Sequence, residues 1–96
     1  MTIVKVTCNT TDSDTSGDWT PVNIPDGMVG ATVTGVADII RLVRTHFPAL
    51  AFSGKQKDWQ RKTAKDGGTM WGMSYTLSAS GKPYHTACII VKLANS

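Results

Sequence analysis

The chain has 96 residues, of which 41% are hydrophobic and 18% are charged, and its formal net charge is +3 at pH 7. These values are ordinary for a globular protein, argue against a disordered chain, and suit a single domain over residues 1–96 with one modest core. No apolar run reaches the roughly 18 residues of a membrane-spanning helix, and the first residues lack the basic start and apolar core of a signal peptide, so we expect a soluble, cytoplasmic protein.

Cysteine number and charge distribution bear on function. Cys8 and Cys88 are too few for a disulfide framework and lack metal-site spacing, so free thiols are expected, although a bridge between them stays open. Five of the seven aspartates lie in residues 1–40, whereas seven of the ten basic residues lie in residues 41–65. Such a basic block is typical either of an anion-binding surface or of an ordinary solvated surface.

The N-terminal part of the chain predicts strands separated by a solvated loop. Residues 2–8 alternate as in a half-buried strand, with Val4 and Val6 directed toward the core. Residues 9–18 contain no apolar side chain, and their three aspartates lack the spacing of the known calcium-binding loops, so this stretch predicts a loop without a metal. Residues 19–24 could add a short edge strand, because the proline within them is excluded from a sheet interior.

An amphipathic helix is predicted next. Thr34 is a suitable N-cap, Asp38 complements the helix dipole in the first turns, and Pro48 ends the helix. His46 borders the apolar stripe and is interpreted as a partly buried structural residue. The apolar positions recur at helical spacing and predict one buried face: Val36, Ile39, Ile40, Val43 and Phe47.

A β-hairpin is the strongest pattern in the chain and spans residues 68–93. Its first arm alternates strictly, so one face is predicted to be core. A three-residue turn ending at Gly81 would pair Ser78 with Lys82 and Trp71 with Ile89. With the helix and the first strand, this register predicts a core: Val4, Val6, Val36, Ile39, Ile40, Val43, Phe47, Trp71, Met73, Tyr75, Leu77, Ala87, Ile89 and Val91. Leu93 joins the same face.

Residues 49–65 allow three interpretations: a strand paired with the first arm of the hairpin, a short helix after Ser53, or a loop. Asp66-Gly67 is a strong hairpin dipeptide and favours the strand. A two-residue turn there places Lys57, Trp59 and Arg61 on the outward face of the sheet. A three-residue turn ending at Gly67 places them inward, where two cations would be costly to bury.

The predicted fold is therefore α+β: a two-layer sandwich with one amphipathic helix packed on a small antiparallel sheet. The element order is strand, possible edge strand, helix and three further strands, or β-(β)-α-β-β-β. No repeat or linker divides the chain.

Binding is a better-supported function than catalysis. There is no phosphate loop, nucleophile elbow or zinc pattern, and His85 and Cys88 point to opposite faces of one predicted strand, so we expect neither an enzyme nor a cofactor. Cations and aromatic rings over small residues suit single-stranded nucleic acid or a nucleotide, because rings stack on bases and cations hold phosphates. The predicted ligand-binding residues are Lys57, Trp59, Arg61, Lys82 and Tyr84.

The alternative function is binding of a protein through the same face, with a homodimer as one form of it. Cys88 and Ile90 would make part of that face apolar, and an apolar patch with a charged rim is typical of an interface. In size and general character the chain resembles the small inhibitors and accessory proteins of phages and mobile elements. Interaction with a membrane is not expected.

Overall fold

The computed structural model describes residues 1–11, 19–77 and 85–94, and these form one helix packed on a five-stranded antiparallel sheet. The spatial order of the strands is β2-β1-β5-β4-β3. The predicted α+β architecture and element order are confirmed, including the short edge strand. The elements are β1 (Thr2–Thr11), β2 (Thr20–Pro21), α1 (Val36–His46), a single 3-10 turn (Gln56–Asp58), β3 (Gln60–Thr63), β4 (Thr69–Leu77) and β5 (His85–Ala94).

The core lies between α1 and the central strand β5. Side chains alternate across a strand, so every second residue of β5 faces the helix. Four of these residues, Ala87, Ile89, Val91 and Leu93, are fully buried. The buried cluster on this face also contains residues from the first strand, the helix and the loops: Ile3, Val6, Cys8, Met28, Val33, Ile39, Ile40, Val43, Phe47, Phe52 and Trp59.

The β4–β5 hairpin has a different register from the predicted one. Trp71 lies opposite Val91 rather than Ile89, a shift of two residues. A shift of two preserves the face of every side chain, because the side-chain period of a strand is also two. The predicted inward residues of β5 are therefore confirmed although their pairing is wrong. The predicted turn at 79–81 and the pairing of Ser78 with Lys82 lie outside the described residues.

Burial decreases along β4 toward its C-terminal end. Trp71, Met73 and Tyr75 are half-buried against the core, as predicted from their alternation. Leu77 belongs to the same face but is 52% exposed, so its predicted place in the core is wrong. It pairs with His85 in the last described rung of the hairpin, beyond the half-buried Tyr75.

A β-bulge in β1 changes which of its residues face the core. Ile3 pairs with Leu93, but Lys5 pairs with Lys92, so Val4 is an extra residue in β1. An extra residue inverts the alternation on one side of the bulge. Ile3 is consequently fully buried whereas Val4 is 45% exposed, and the prediction of Val4 in the core is wrong.

The helix begins one residue later than its predicted cap implies. Gly35 occupies the N-cap position, so the prediction of Thr34 there is wrong. Thr34 instead donates from its N–H and its Oγ1 to Asp38 Oδ2, at 2.9 and 2.7 Å. These bonds, the backbone bond first, lower the pKa of Asp38, and the carboxylate remains in the first turn as expected. His46 ends the helix and is half-buried.

The turn between β3 and β4 takes the three-residue form rather than the favoured two-residue form. Ala64 N–H donates to Gly68 O at 2.7 Å, and Gly67 has a φ of 88°, which favours glycine. Arg61 therefore lies opposite Trp71, on the helix side of the sheet. The expected cost of burying cations does not arise, because β3 is an edge strand on which Arg61 remains exposed.

The two cysteines are free and lie on opposite faces of the sheet. Cys8 pairs with Ile89 on the core face, whereas Cys88 pairs with Asn9 and Ser74 on the other face. Burial raises the pKa of Cys8 to about 11, and the nearby Cys88 adds to the shift. The bridge that the sequence left open is therefore not formed.

We expect native protein to react with a thiol reagent only at Cys88, because a buried neutral thiol is a poor nucleophile. Titration with Ellman's reagent should give about one equivalent without denaturant and about two with it. Cys88→Ala should give about none until the protein unfolds. Equal reaction rates of both thiols in native protein would contradict the placement of Cys8 in the core.

Candidate ligand-binding face

Trp59, the central residue of the predicted ligand site, is a core residue. Its side chain is only 4% exposed, its ring centroid lies 6.4 Å from that of Phe52, and Nε1–H donates to the carbonyl oxygen of Ser53 at 3.0 Å. The prediction that Trp59 lies on the outward face of the sheet is wrong. Without a free ring face it has no surface on which a base could stack.

The loop before the 3-10 turn explains why Trp59 is buried. Phe52 packs edge-to-face on Tyr75 with a centroid distance of 5.3 Å, and Tyr75 Oη accepts a hydrogen bond from Ala51 N–H at 2.9 Å. Ser53 N–H donates to the sulfur of Met73 at 3.2 Å. These bonds fix the loop on β4 and hold Phe52 and Trp59 over the core. In the sequence, the available sign of this burial was that Phe52 and Trp59 are aromatic residues in an otherwise polar stretch.

The remaining predicted site residues do not converge on one surface. Lys57 is exposed in the 3-10 turn, before the strand to which it was assigned. Arg61 is exposed on the helix side of β3, so its predicted outward placement is also wrong. Lys82 and Tyr84 lie outside the described residues.

The sheet face opposite the helix carries a different set of basic residues. Every side chain on this face of β3, β4, β5 and the middle of β1 is exposed or half-buried, and we call it the uncovered face. Its residues are Lys5, Thr7, Asn9, Gln60, Lys62, Met70, Gly72, Ser74, Thr76, Thr86, Cys88, Ile90 and Lys92.

Three lysines of the uncovered face lie in one row across four strands. Lys5 of β1 is opposite Lys92 of β5, Lys92 is opposite Met70 of β4, and Met70 is opposite Lys62 of β3. We call these four residues the lysine row. Neighbouring strands lie about 5 Å apart, so Lys5 and Lys92 are direct neighbours and Lys62 is about 10 Å from Lys92 at the backbone.

One carboxylate approaches the lysine row. Lys92 Nζ donates to Asp66 Oδ2 at 2.6 Å, and Asp66 also accepts a hydrogen bond from Gly68 N–H at 3.0 Å. The Lys92 bond, with the smaller contribution of Gly68, lowers the pKa of Asp66. Within the described ranges no carboxylate lies at salt-bridge distance from Lys5 or Lys62. The row therefore retains excess positive charge.

A shallow depression of about 240 Å³ lies beside the lysine row. Its floor is open because Gly72 has no side chain: a Cβ there would lie 3.4 Å from Ile89 O and 3.7 Å from Ile90 Cγ1. One wall runs from Asp58, at the end of the 3-10 turn, to Lys62 in β3. A ligand with an apolar planar part and an anionic part would fit with its anion at the Lys62 end. The remaining lining comes from Gln60, Met70, Met73, Ser74, Cys88, Ile89 and Ile90.

Comparisons with protein-family models, curated proteins and solved structures found no match to this chain. In the three described ranges, no helix is long and apolar enough to cross a membrane. The same ranges contain no group of three or more His, Cys, Asp or Glu side chains that could hold a metal ion.

Proposed function

We propose that this protein is a non-catalytic binding module and that its uncovered face holds a phosphate-bearing ligand, either single-stranded nucleic acid or a nucleotide. The observation that carries this proposal is the lysine row. Asp66 neutralises one of its three ammonium groups, and the other two have no carboxylate partner among the described side chains. The unpaired ammonium groups of Lys5 and Lys62 stand at opposite ends of the row, about 15 Å apart at the backbone. Each can contact a phosphate without first losing a carboxylate partner, so a ligand that lies along the row can engage both ends.

The depression at Gly72 supplies the second part of such a site. Met70 and Ile90 offer apolar contact to a base, while Gln60 and Ser74 offer hydrogen-bonding groups at its edge. In the described part of the chain this face carries no aromatic ring, so base stacking contributes less than in aromatic platforms. Phosphate contacts should supply most of the affinity, and binding should depend strongly on salt.

Titration of labelled oligothymidylate at several salt concentrations tests the proposal. We expect Lys62→Ala to reduce the slope of log affinity against log salt by about 0.7, the usual contribution of one phosphate contact in a single strand. The fold should persist, because Lys62 is exposed. Arg41→Ala is the matched control: it removes one cation from the helix, where Arg41 is paired with Asp38 at 3.3 Å. Equal effects of both variants, or no binding at low salt, would contradict the proposed function.

A protein partner is the second candidate, and one observation favours it. Ile90 is 41% exposed at the centre of the uncovered face, on the middle strand of the sheet, beside Cys88. A large exposed apolar residue surrounded by polar groups is typical of an interface with another protein or a second copy of this chain. In that case sedimentation or pull-down would show binding that changes little with salt and is lost in Ile90→Asp.

A further inference from the structure

Four basic residues that are absent from the uncovered face belong to the C-terminal half of α1, to the segment that leads into β3, and to β3 itself. We call Arg44, Lys55, Lys57 and Arg61 the helix-side cluster. All four are exposed, and no carboxylate in the described ranges lies at salt-bridge distance from any of them. The 3-10 turn that contains Lys57 contacts α1. Arg44 lies against the loop before this turn, since a Cβ on Gly54 would come within 2.5 Å of Arg44 Nη1.

The edge strand β3 separates this cluster from the lysine row. Arg61 and Lys62 are consecutive, so their side chains point to opposite faces of the sheet. Arg61 lies opposite Trp71 on the helix side, and Lys62 lies opposite Met70 in the lysine row. β3 has four residues and is the last strand on its side of the described sheet. Cations on the two faces are thus separated by the thickness of one exposed strand.

We propose that the ligand is a single-stranded nucleic acid whose phosphate backbone passes over the edge of β3, from the lysine row to the helix-side cluster. This inference rests on the proposed function and narrows it. A mononucleotide in the depression at Gly72 reaches Lys62 but cannot also contact cations on the helix side. Several linked phosphates are needed to engage both groups at once.

The same geometry discriminates between single and double strands. A single strand is flexible enough to turn around one β-strand, whereas duplex DNA has a persistence length of about 150 base pairs and is costly to bend over such a short distance. A duplex can therefore contact either the lysine row or the helix-side cluster, but not both at once. Single strands should therefore bind more tightly than duplexes of the same length, although the duplex carries the higher charge density.

The test uses labelled thymidine mononucleotide and labelled oligothymidylate of about 12 nucleotides, together with a duplex of about 12 base pairs, at several salt concentrations. With the oligothymidylate we expect Lys57→Ala and Arg61→Ala each to lower the salt slope by about 0.7, as Lys62→Ala does. With the mononucleotide only Lys62→Ala should weaken the salt dependence, because one nucleotide cannot reach both faces of β3. Arg41→Ala is the control and should change neither slope. The oligothymidylate should bind at least several-fold more tightly than the duplex.

The outcomes separate this inference from the proposed function. If Lys62→Ala lowers the slope while Lys57→Ala and Arg61→Ala do not, the uncovered face binds the ligand but the path over β3 is wrong. Equal affinity for the single strand and the duplex would also show that the path over β3 is wrong. If the wild-type protein binds no oligothymidylate at low salt, or Lys62→Ala has no effect, both proposals fail.

Discussion

Ile89→Asp is expected to unfold the protein, and Ile90→Asp is expected to leave it folded. Ile89 is fully buried on the helix side of the central strand, whereas its neighbour Ile90 is 41% exposed on the uncovered face. Cys8 and Met73 flank Ile89 on the two adjacent strands and offer no partner for a charge. An unpaired buried carboxylate costs several kcal/mol, which is comparable with the whole stability of a small domain, about 5–15 kcal/mol.

The two variants form a matched pair, because they introduce the same charge at consecutive positions of one strand. Circular dichroism and thermal denaturation would separate them directly. A native melting transition in Ile89→Asp, or loss of the transition in both variants, would contradict the assignment of the two sheet faces.

Trp59→Ala has the second largest expected effect, a loss of about 3–5 kcal/mol in the free energy of unfolding. The substitution removes the ring that packs on Phe52 and the hydrogen bond from Nε1–H to Ser53 O. For a domain of this size the melting temperature should fall by roughly 12–40 °C. Chemical denaturation followed at equilibrium would measure the loss.

Trp19→Ala is the control, because Trp19 is 44% exposed and lies outside the buried cluster. It should cost less than about 1 kcal/mol. Below its melting temperature Trp59→Ala should bind oligothymidylate with the salt slope of the wild type. Unchanged stability together with lost affinity would instead make Trp59 a ligand-contacting residue, contrary to its burial.

Local sequence patterns were sufficient to predict the elements and the inward faces of the helix and the hairpin. The alternation from Trp71 to Leu77 identified the core face of β4, and the helical spacing identified Ile39 and Val43 as buried. Each of these patterns lies within a single strand or helix and does not depend on how the elements pair. A bulge adds a residue without a local signal, which is why Val4 was predicted in the core in place of Ile3.

The candidate site could not be predicted, because it depends on pairing between distant parts of the chain. Lys5 and Lys92 become neighbours only through the pairing of β1 with β5, and Lys62 joins them only in the three-residue turn register. The sequence favours the other register, because the three-residue turn moves Lys57 and Arg61 inward. In the structure the three-residue turn register costs little. It buries the apolar ring of Trp59, while Lys57 in the 3-10 turn and Arg61 at the edge of the sheet remain exposed.

The central claim is that the ligand binds the uncovered face, and methyl NMR tests it most directly. In protein with labelled methionine and isoleucine methyl groups, titration with oligothymidylate should shift the signals of Met70 and Ile90, which lie on that face. The signals of Met28 and Ile39, which are fully buried, should stay in place. Saturable shifts of Met70 and Ile90, with Met28 and Ile39 unmoved, are the predicted result. Binding that leaves both of these signals unmoved would contradict the claim.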